Sequence, residues 1–248
     1  MMSSRWRKVR ADFWSNKART ILMILTITVG VFAVGFVKNM SVMVNRYMEE
    51  DYQTANPSEA TINSFPLTED LVENLRKLPG VGGLEGRSTT IAFILLPNGK
   101  RINTQFYALN SFDEPKVNLI KPAVPGETLP QIGEKEFWLD RSASSLGLQP
   151  GEMVHIELAD GTIREVKFGG YVHSVTLFSY NIVNTASGFL TPATMQWMGG
   201  SEYYDQLVMS VAANPSDRDH VTEVAKQISD RLKKNNYNVG VLFIYNPG

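Results

Sequence analysis

The chain has 248 residues, 43% of them apolar and 20% charged, with 24 Lys and Arg against 25 Asp and Glu. This balance argues against a nucleic-acid-binding domain, which carries a basic excess, and the apolar fraction is too high for a disordered chain. With no cysteine there is no disulfide scaffold, thiolate zinc site or cysteine nucleophile. The three histidines, His155, His173 and His220, are too scattered to suggest a histidine-rich metal site.

In the leader, Trp6, Val9 and Phe13 recur at i, i+3 and i+7, while Arg7, Lys8 and Arg10 fall mostly elsewhere. Aromatics on one side and bases on the other predict an amphipathic basic helix over residues 1–19, lying in a headgroup plane. Thr20–Val37 follows without a charge. Its 18 residues span about 27 Å as a helix, against a hydrocarbon core of roughly 30 Å. Lys17, Arg19 and Lys38 flank the span and can snorkel to the headgroups. The predicted membrane-interface set is therefore Trp6, Arg7, Lys8, Val9, Arg10, Phe13, Lys17, Arg19 and Lys38. Gly30 and Gly35 are five apart and form no GxxxG face.

Orientation follows from charge. The leader up to Arg19 holds six basic side chains and one acid, Asp12, whereas the remainder carries 18 basic and 24 acidic residues, net −6. The positive-inside rule then places the N-terminus in the cytoplasm and the bulk of the chain outside. A cleaved signal peptide has an apolar region of about 7–15 residues and a small-x-small cleavage site. This run is longer, and Lys38-Asn39-Met40 offers no such site, so the helix is expected to stay. Val42, Met43, Arg46 and Tyr47 continue it, giving a transmembrane helix and extension over residues 20–50.

Beyond that, Glu59–Phe65 reads as a short strand. Thr68 is placed to cap a helix with Glu69 and Asp70 in its first turn and Leu71, Val72, Leu75 and Leu78 on its apolar face, stopped at Pro79-Gly80. Thr89–Leu96 is a continuous apolar run, as in a strand covered on both faces. Pro97-Asn98-Gly99 turns it into a strand alternating at Ile102, Thr104, Phe106 and Ala108. These elements make a first half over residues 51–112.

Residues 113–189 read as an inserted β-rich lobe. Phe137–Leu139 is a strand, Arg141–Leu146 a short helix, and Gly147–Gly151 a turn. Val154, Ile156 and Leu158 alternate with His155 and Glu157, and Asp160-Gly161 turns the chain toward Val166 and Phe168. Residues 190–248 form a second half: a short helix from Thr191-Pro192 to Gly199-Gly200, a strand Gln206–Ala212, a helix from Pro215-Ser216 to about Asn235, and a strand Val239–Tyr245. The expected fold class is α+β, with two βαβ units sharing one ferredoxin-like sheet and the lobe between them.

Four stretches carry a resemblance to a known family. Asp12-Phe-Trp-Ser-Asn-Lys-Ala-Arg19-Thr-Ile-Leu is similar to the basic helix and first membrane helix of FtsX/MacB-like ABC transporter permeases. Pro66-Leu67-Thr68 with Leu78-Pro79-Gly80-Val81 resembles the family's first extracytoplasmic helix and turn. Leu146-Gly147-Leu148-Gln149-Pro150-Gly151-Glu152 looks like its LGL-x-x-GD turn, with Glu152 where Asp is usual, and Gly169-Gly170-Tyr171-Val172-His173 resembles the strand that follows. The resemblance implies a permease component of a bacterial plasma membrane with a MacB-like core domain outside the cytoplasm. It also implies a cytoplasmic ATP-binding subunit, a second permease copy in a homo- or heterodimer, and membrane lipid as partners. The domain would transmit ATP-driven motion to export or extract an amphipathic substrate, or to signal to a partner. The family carries three further membrane helices after this domain, and nothing after Val37 is long enough to be one. The expectation is therefore a permease cut short, or a permanently single-pass relative acting as an anchored binding module.

No catalytic constellation appears. There is no G-x-x-x-x-G-K-[ST], so ATP hydrolysis is expected on a separate subunit; no G-x-S-x-G, H-E-x-x-H or G-x-G-x-x-G occurs either. No cofactor, metal site or nucleic-acid partner is expected. His173-Ser174 reads as an ordinary strand pair rather than part of a triad. Glu134-Lys-Glu136 and Glu49-Glu50-Asp51 read as solvated faces, and Tyr203-Tyr204 and Trp197-Met198 as packing.

Overall fold

The computed structural model of the chain describes residues 17–245. Of the predicted interface set, Trp6, Arg7, Lys8, Val9, Arg10 and Phe13 lie outside these residues. The chain divides into two units, residues 1–50 and 51–248. Helix α1, Lys17–Thr54, is continuous for 38 residues, about 57 Å. No proline interrupts it. It ends where Asn56 takes a left-handed φ of 44° just before Pro57, a combination that stops a helix.

In the second unit, β1 (Ala60–Leu67), α2 (Glu69–Arg76) and β2 (Val81–Arg87) lead into β3 (Thr89–Leu95) and β4 (Arg101–Ala108). Next come β5 (Lys121–Pro122), β6 (Glu136–Asp140), a 3-10 turn (Arg141–Leu146), β7 (Met153–Glu157), β8 (Ile163–His173), α3 (Tyr180–Val183), β9 (Ala186–Leu190) and α4 (Pro192–Trp197). The last elements are β10 (Tyr204–Val211), α5 (Arg218–Lys234) and β11 (Asn238–Ile244).

The strands form two sheets. The first has the order β11-β1-β10-β2 with every neighbour antiparallel. Two interleaved βαβ units in this order are the ferredoxin-like arrangement expected from the sequence. Alternation sends Ala60, Ile62, Leu84, Leu207 and Met209 to one face, where they meet Val72 and Leu75 of α2 and Val221, Val224, Ala225, Ile228 and Leu232 of α5. Asp217 starts α5 by accepting from the N–H groups of Asp219 and His220, and Arg231, Lys233 and Lys234 sit in its last turn, matching the helix dipole at both ends. Thr68 precedes α2 with an extended backbone, but its hydroxyl makes no capping bond, contrary to the expectation.

The second sheet runs β5-β8-β6-β9-β4-β3-β7, and β7 also pairs with β8. The ring β8-β6-β9-β4-β3-β7 therefore closes on itself as a barrel, with no free edges. Its interior is filled by Ile94, Phe106, Phe137, Leu139, Ile156, Val166, Phe168 and Leu190, all fully buried. Phe106 and Phe137 meet edge to face at 5.9 Å, a geometry favoured between aromatic rings.

Three expectations change. The β3–β4 hairpin, grouped from sequence with the first half, pairs in the second sheet, so that sheet begins at Thr89 rather than after residue 112. β3 is not covered on both faces: Ala92 and Ile94 point into the barrel, while Ile91 is exposed and Arg101 stacks over the Phe93 ring at 4.3 Å. Glu136 is not a solvated face. It is buried, accepting from Lys167 Nζ at 2.9 Å and Trp138 Nε1 at 2.8 Å.

Candidate functional site

The first unit offers one feature. Lys17–Met40 is long and apolar enough to cross a membrane, about 36 Å along 24 residues, and none of it is buried. Ile21, Leu22, Met23 and Ile24, four successive residues that together face every side of the helix, are each more than half exposed. A soluble surface helix keeps an apolar stripe and a polar face; this one has no polar face between Thr20 and Val37 apart from threonines. Thr26 Oγ1 donates to the Leu22 carbonyl at 2.8 Å, so its hydroxyl is satisfied within the helix. Lys17, Arg19 and Lys38 are exposed on this helix.

In the second unit, side chains from distant parts of the chain converge on the last turn of α1. The pairing of β5 with β8 puts Lys121 opposite His173, and the parallel pairing of β6 with β8 puts Asp140 beside Val172. Lys121 Nζ donates to the Asp51 carbonyl at 2.9 Å, to Thr54 Oγ1 at 2.7 Å and to the Asp51 carboxylate. An ammonium on the last carbonyls of a helix satisfies orphan acceptors and complements the negative end of its dipole. His173 lies beside this clamp. Its Nε2 is 3.0 Å from Arg141 Nη2 and 3.6 Å from Asp51 Oδ2. Its buried Nδ1 faces Asp140 Oδ2 at 3.7 Å, beyond hydrogen-bond reach.

Electrostatics follow from these contacts. The Lys121 hydrogen bond holds the Asp51 carboxyl below its usual range, against a small opposing push from burial. Burial would raise the Asp140 carboxyl, but the facing His173 and the N–H groups of Ser142 and Ser174, at 2.9 and 2.8 Å, outweigh it and leave it low. Ser174 Oγ lies against Thr176 Oγ1 at 3.2 Å, so the adjacent His and Ser are not arranged as base and nucleophile.

The sheet and the barrel, both within this unit, are joined by polar ties. Asp205 of β10 accepts from Thr89 N at 3.1 Å and Thr89 Oγ1 at 2.8 Å, where the chain crosses from one sheet to the other. Buried Arg87 donates to Glu85 at 3.1 Å and to the Val117 carbonyl at 2.8 Å, while Glu85 accepts from Val117 N at 3.1 Å. Burial lowers the Arg87 guanidinium, pushes Tyr107 up to about 12, and raises Asp205 and Glu59. A polar cavity of about 110 Å³ lies among Arg87, Tyr107, Asn118, Ser174, Gln206 and Tyr245. A larger groove of about 600 Å³ runs along β2, lined by Gly82–Ser88 together with Ala108–Asn110 and Glu114–Lys116.

Two of the resembling stretches have physical roles. In Leu146–Glu152, Gly147 takes a φ of 77° after the 3-10 turn, and the Glu152 carboxylate accepts from Gln149 N at 3.0 Å, closing the turn. Gly169 and Gly170 lie under the Trp138 indole, where an added Cβ would stand 2.3 and 2.9 Å from ring atoms.

No family model matches the chain, and no curated protein matches it. Among solved structures it is similar to the extracellular domain of the noncanonical ABC-type transporter YknZ from Gram-positive bacteria. That likeness has 14% identity over 73% of this chain and 100% of that one, with a TM-score of 0.46. It is also similar to the periplasmic region of MacB from Actinobacillus actinomycetemcomitans, at 10% identity over 78% of this chain and 93% of that one, with a TM-score of 0.45.

The sequence reading missed the clamp. Asp51, Lys121, Asp140 and His173 are far apart in the chain, and only strand pairing brings them together. Asp51, which the sequence places in a solvated acidic run, is held by Lys121.

Proposed function

We propose that this chain is the N-terminal part of an FtsX/MacB-like ABC transporter permease in a bacterial plasma membrane. In this reading Thr20–Val37 spans the bilayer with the N-terminus in the cytoplasm, and residues 51–248 form the extracytoplasmic domain. Arg7, Lys8, Arg10, Lys17 and Arg19 hold the leader to anionic lipid, each contributing up to about 1 kcal/mol. A cytoplasmic ATP-binding subunit drives the motion, and a second permease copy completes the transporter.

The observation that carries the reading is the clamp. An apolar helix that continues without a break into a turn bonded to the domain by Lys121 is suited to pass a rigid-body movement outward. The start and exit of the domain also lie side by side: Tyr245 N donates to the Glu59 carbonyl at 2.9 Å, as suits a domain inserted between membrane helices. Affinity purification of the full gene product from its native membrane tests this. Recovery of a protein carrying a Walker A motif supports the reading, and a stable complex lacking any ATPase overturns it.

The groove along β2 favours a second reading, a single-pass anchored module that binds a peptide or envelope component. The reading frame decides between them: continuation into three further apolar segments removes the second option.

A further inference from the structure

We propose that His173 is a proton-operated latch on the last turn of α1: neutral, its Nε2 accepts from Arg141; protonated, it turns to the Asp51 carboxylate and fastens the helix end to the barrel. The inference concerns this joint alone and does not depend on what the whole protein transports.

The geometry allows one nitrogen two partners. Nε2 stands 3.0 Å from Arg141 Nη2. Arginine only donates, so this contact requires an unprotonated Nε2 with its lone pair toward the guanidinium. The same Nε2 is 3.6 Å from Asp51 Oδ2, while Lys121 is held by the other oxygen, Oδ1. Among the described residues, no donor lies within hydrogen-bond reach of Oδ2. A proton on Nε2 removes the acceptor that Arg141 uses and sets two cations face to face. Arg141 keeps a second bond, from Nη1 to the Ala123 carbonyl at 3.1 Å, and can release the ring without losing its anchorage.

Among the described residues, four charged groups touch the ring or its partners. Asp51 of α1 and Asp140 of β6 favour the proton; Lys121 of β5 and Arg141 of the 3-10 turn oppose it. With a neutral ring the four charges cancel. With a charged ring, each ring N–H faces one carboxylate, and the buried Nδ1, which has no hydrogen-bond partner, is directed at Asp140 Oδ2. Histidine changes charge between about pH 5 and 8. A proton on the ring exchanges the contact with Arg141 for one with Asp51, between the ring and the helix end.

The chain has no cysteine, so paired labels can be placed without background. Spin labels at Gln53→Cys, on the last turn of α1, and Glu165→Cys, on β8, report the joint in the full chain reconstituted in lipid nanodiscs. The distance distribution is expected to narrow as the pH falls from 8 to 5.5. His173→Gln and Asp51→Asn should each abolish the narrowing, whereas His220→Gln, on α5, should keep it. Asp51→Asn retains the carbonyl that Lys121 grips, so it carries the test if His173→Gln fails to fold. A wild-type distribution that does not change with pH, or an unaltered response in Asp51→Asn, overturns the latch.

Discussion

The two sheets of the second unit solve the same problem in opposite ways. The ferredoxin-like sheet is open: α2 and α5 cover one face, and two strands remain at its edges. The barrel closes its own edges and fills its interior with phenylalanines. The open sheet must blunt or cover what it leaves unpaired. β2 does so with three glycines, the Glu85 and Arg87 ties, and the groove wall beside it. β11 carries Val241 and Phe243 exposed.

If the closed barrel depends more on its tightly packed centre, the largest loss should come from Phe106→Ala, about 3–5 kcal/mol in chemical denaturation. Leu75→Ala, between α2 and the open sheet, should cost about 2–5 kcal/mol and fall below it; an equal or greater cost would break the contrast. Gly86→Val is next. A Cβ there would stand 2.2 Å from the Tyr204 ring, so β2 should be displaced at a cost of about 1–3 kcal/mol. Tyr204 fluorescence and hydrogen exchange along β2 and β10 would report it.

Lys121→Met should cost less than about 1 kcal/mol globally, because the ion pair is partly exposed. Amide exchange at the Asp51–Thr54 turn should nevertheless rise, while the barrel interior stays protected. The smallest effects concern pH. Asp140 has a lowered carboxyl pKa, so its contribution is present above the ordinary carboxylate range near pH 4 and is lost as pH falls through its lower folded value. Glu59 is shifted the other way by burial, so its contribution is present below that range and lost as pH rises through the raised value. Glu59→Gln keeps an acceptor for Val211 N, now 2.9 Å from Glu59 Oε2. It should raise the melting temperature at pH 7 and leave it unchanged at pH 3.

Local elements were legible wherever the signal was local. The turn residues at Asn98-Gly99 and Asp160-Gly161 and the alternation at Val154–Leu158 appear as read, and Thr191 accepts from Thr194 N beside Pro192. β2 was not legible, because Val81-Gly-Gly-Leu-Glu-Gly-Arg87 lacks the side chains that mark a strand. Its glycines answer to Tyr204, Ser210 and Val117, which approach from other elements. The β3–β4 hairpin was legible as a hairpin but not as part of the barrel, since its pairing with β7 and β9 depends on residues about 50–100 positions later.

What the sequence alone determined is what lies within one helix or turn: an uncharged 18-residue span between basic flanks, the amphipathic faces of α2 and α5, and the turns that separate the strands. The tertiary structure decided which strands share a sheet, that one sheet closes, and that Asp51, Lys121, Arg141 and His173 meet at the end of α1. The reason is range. Hydrophobic period and backbone preference act over a few residues, whereas strand partners and ion pairs are selected by the whole folded chain.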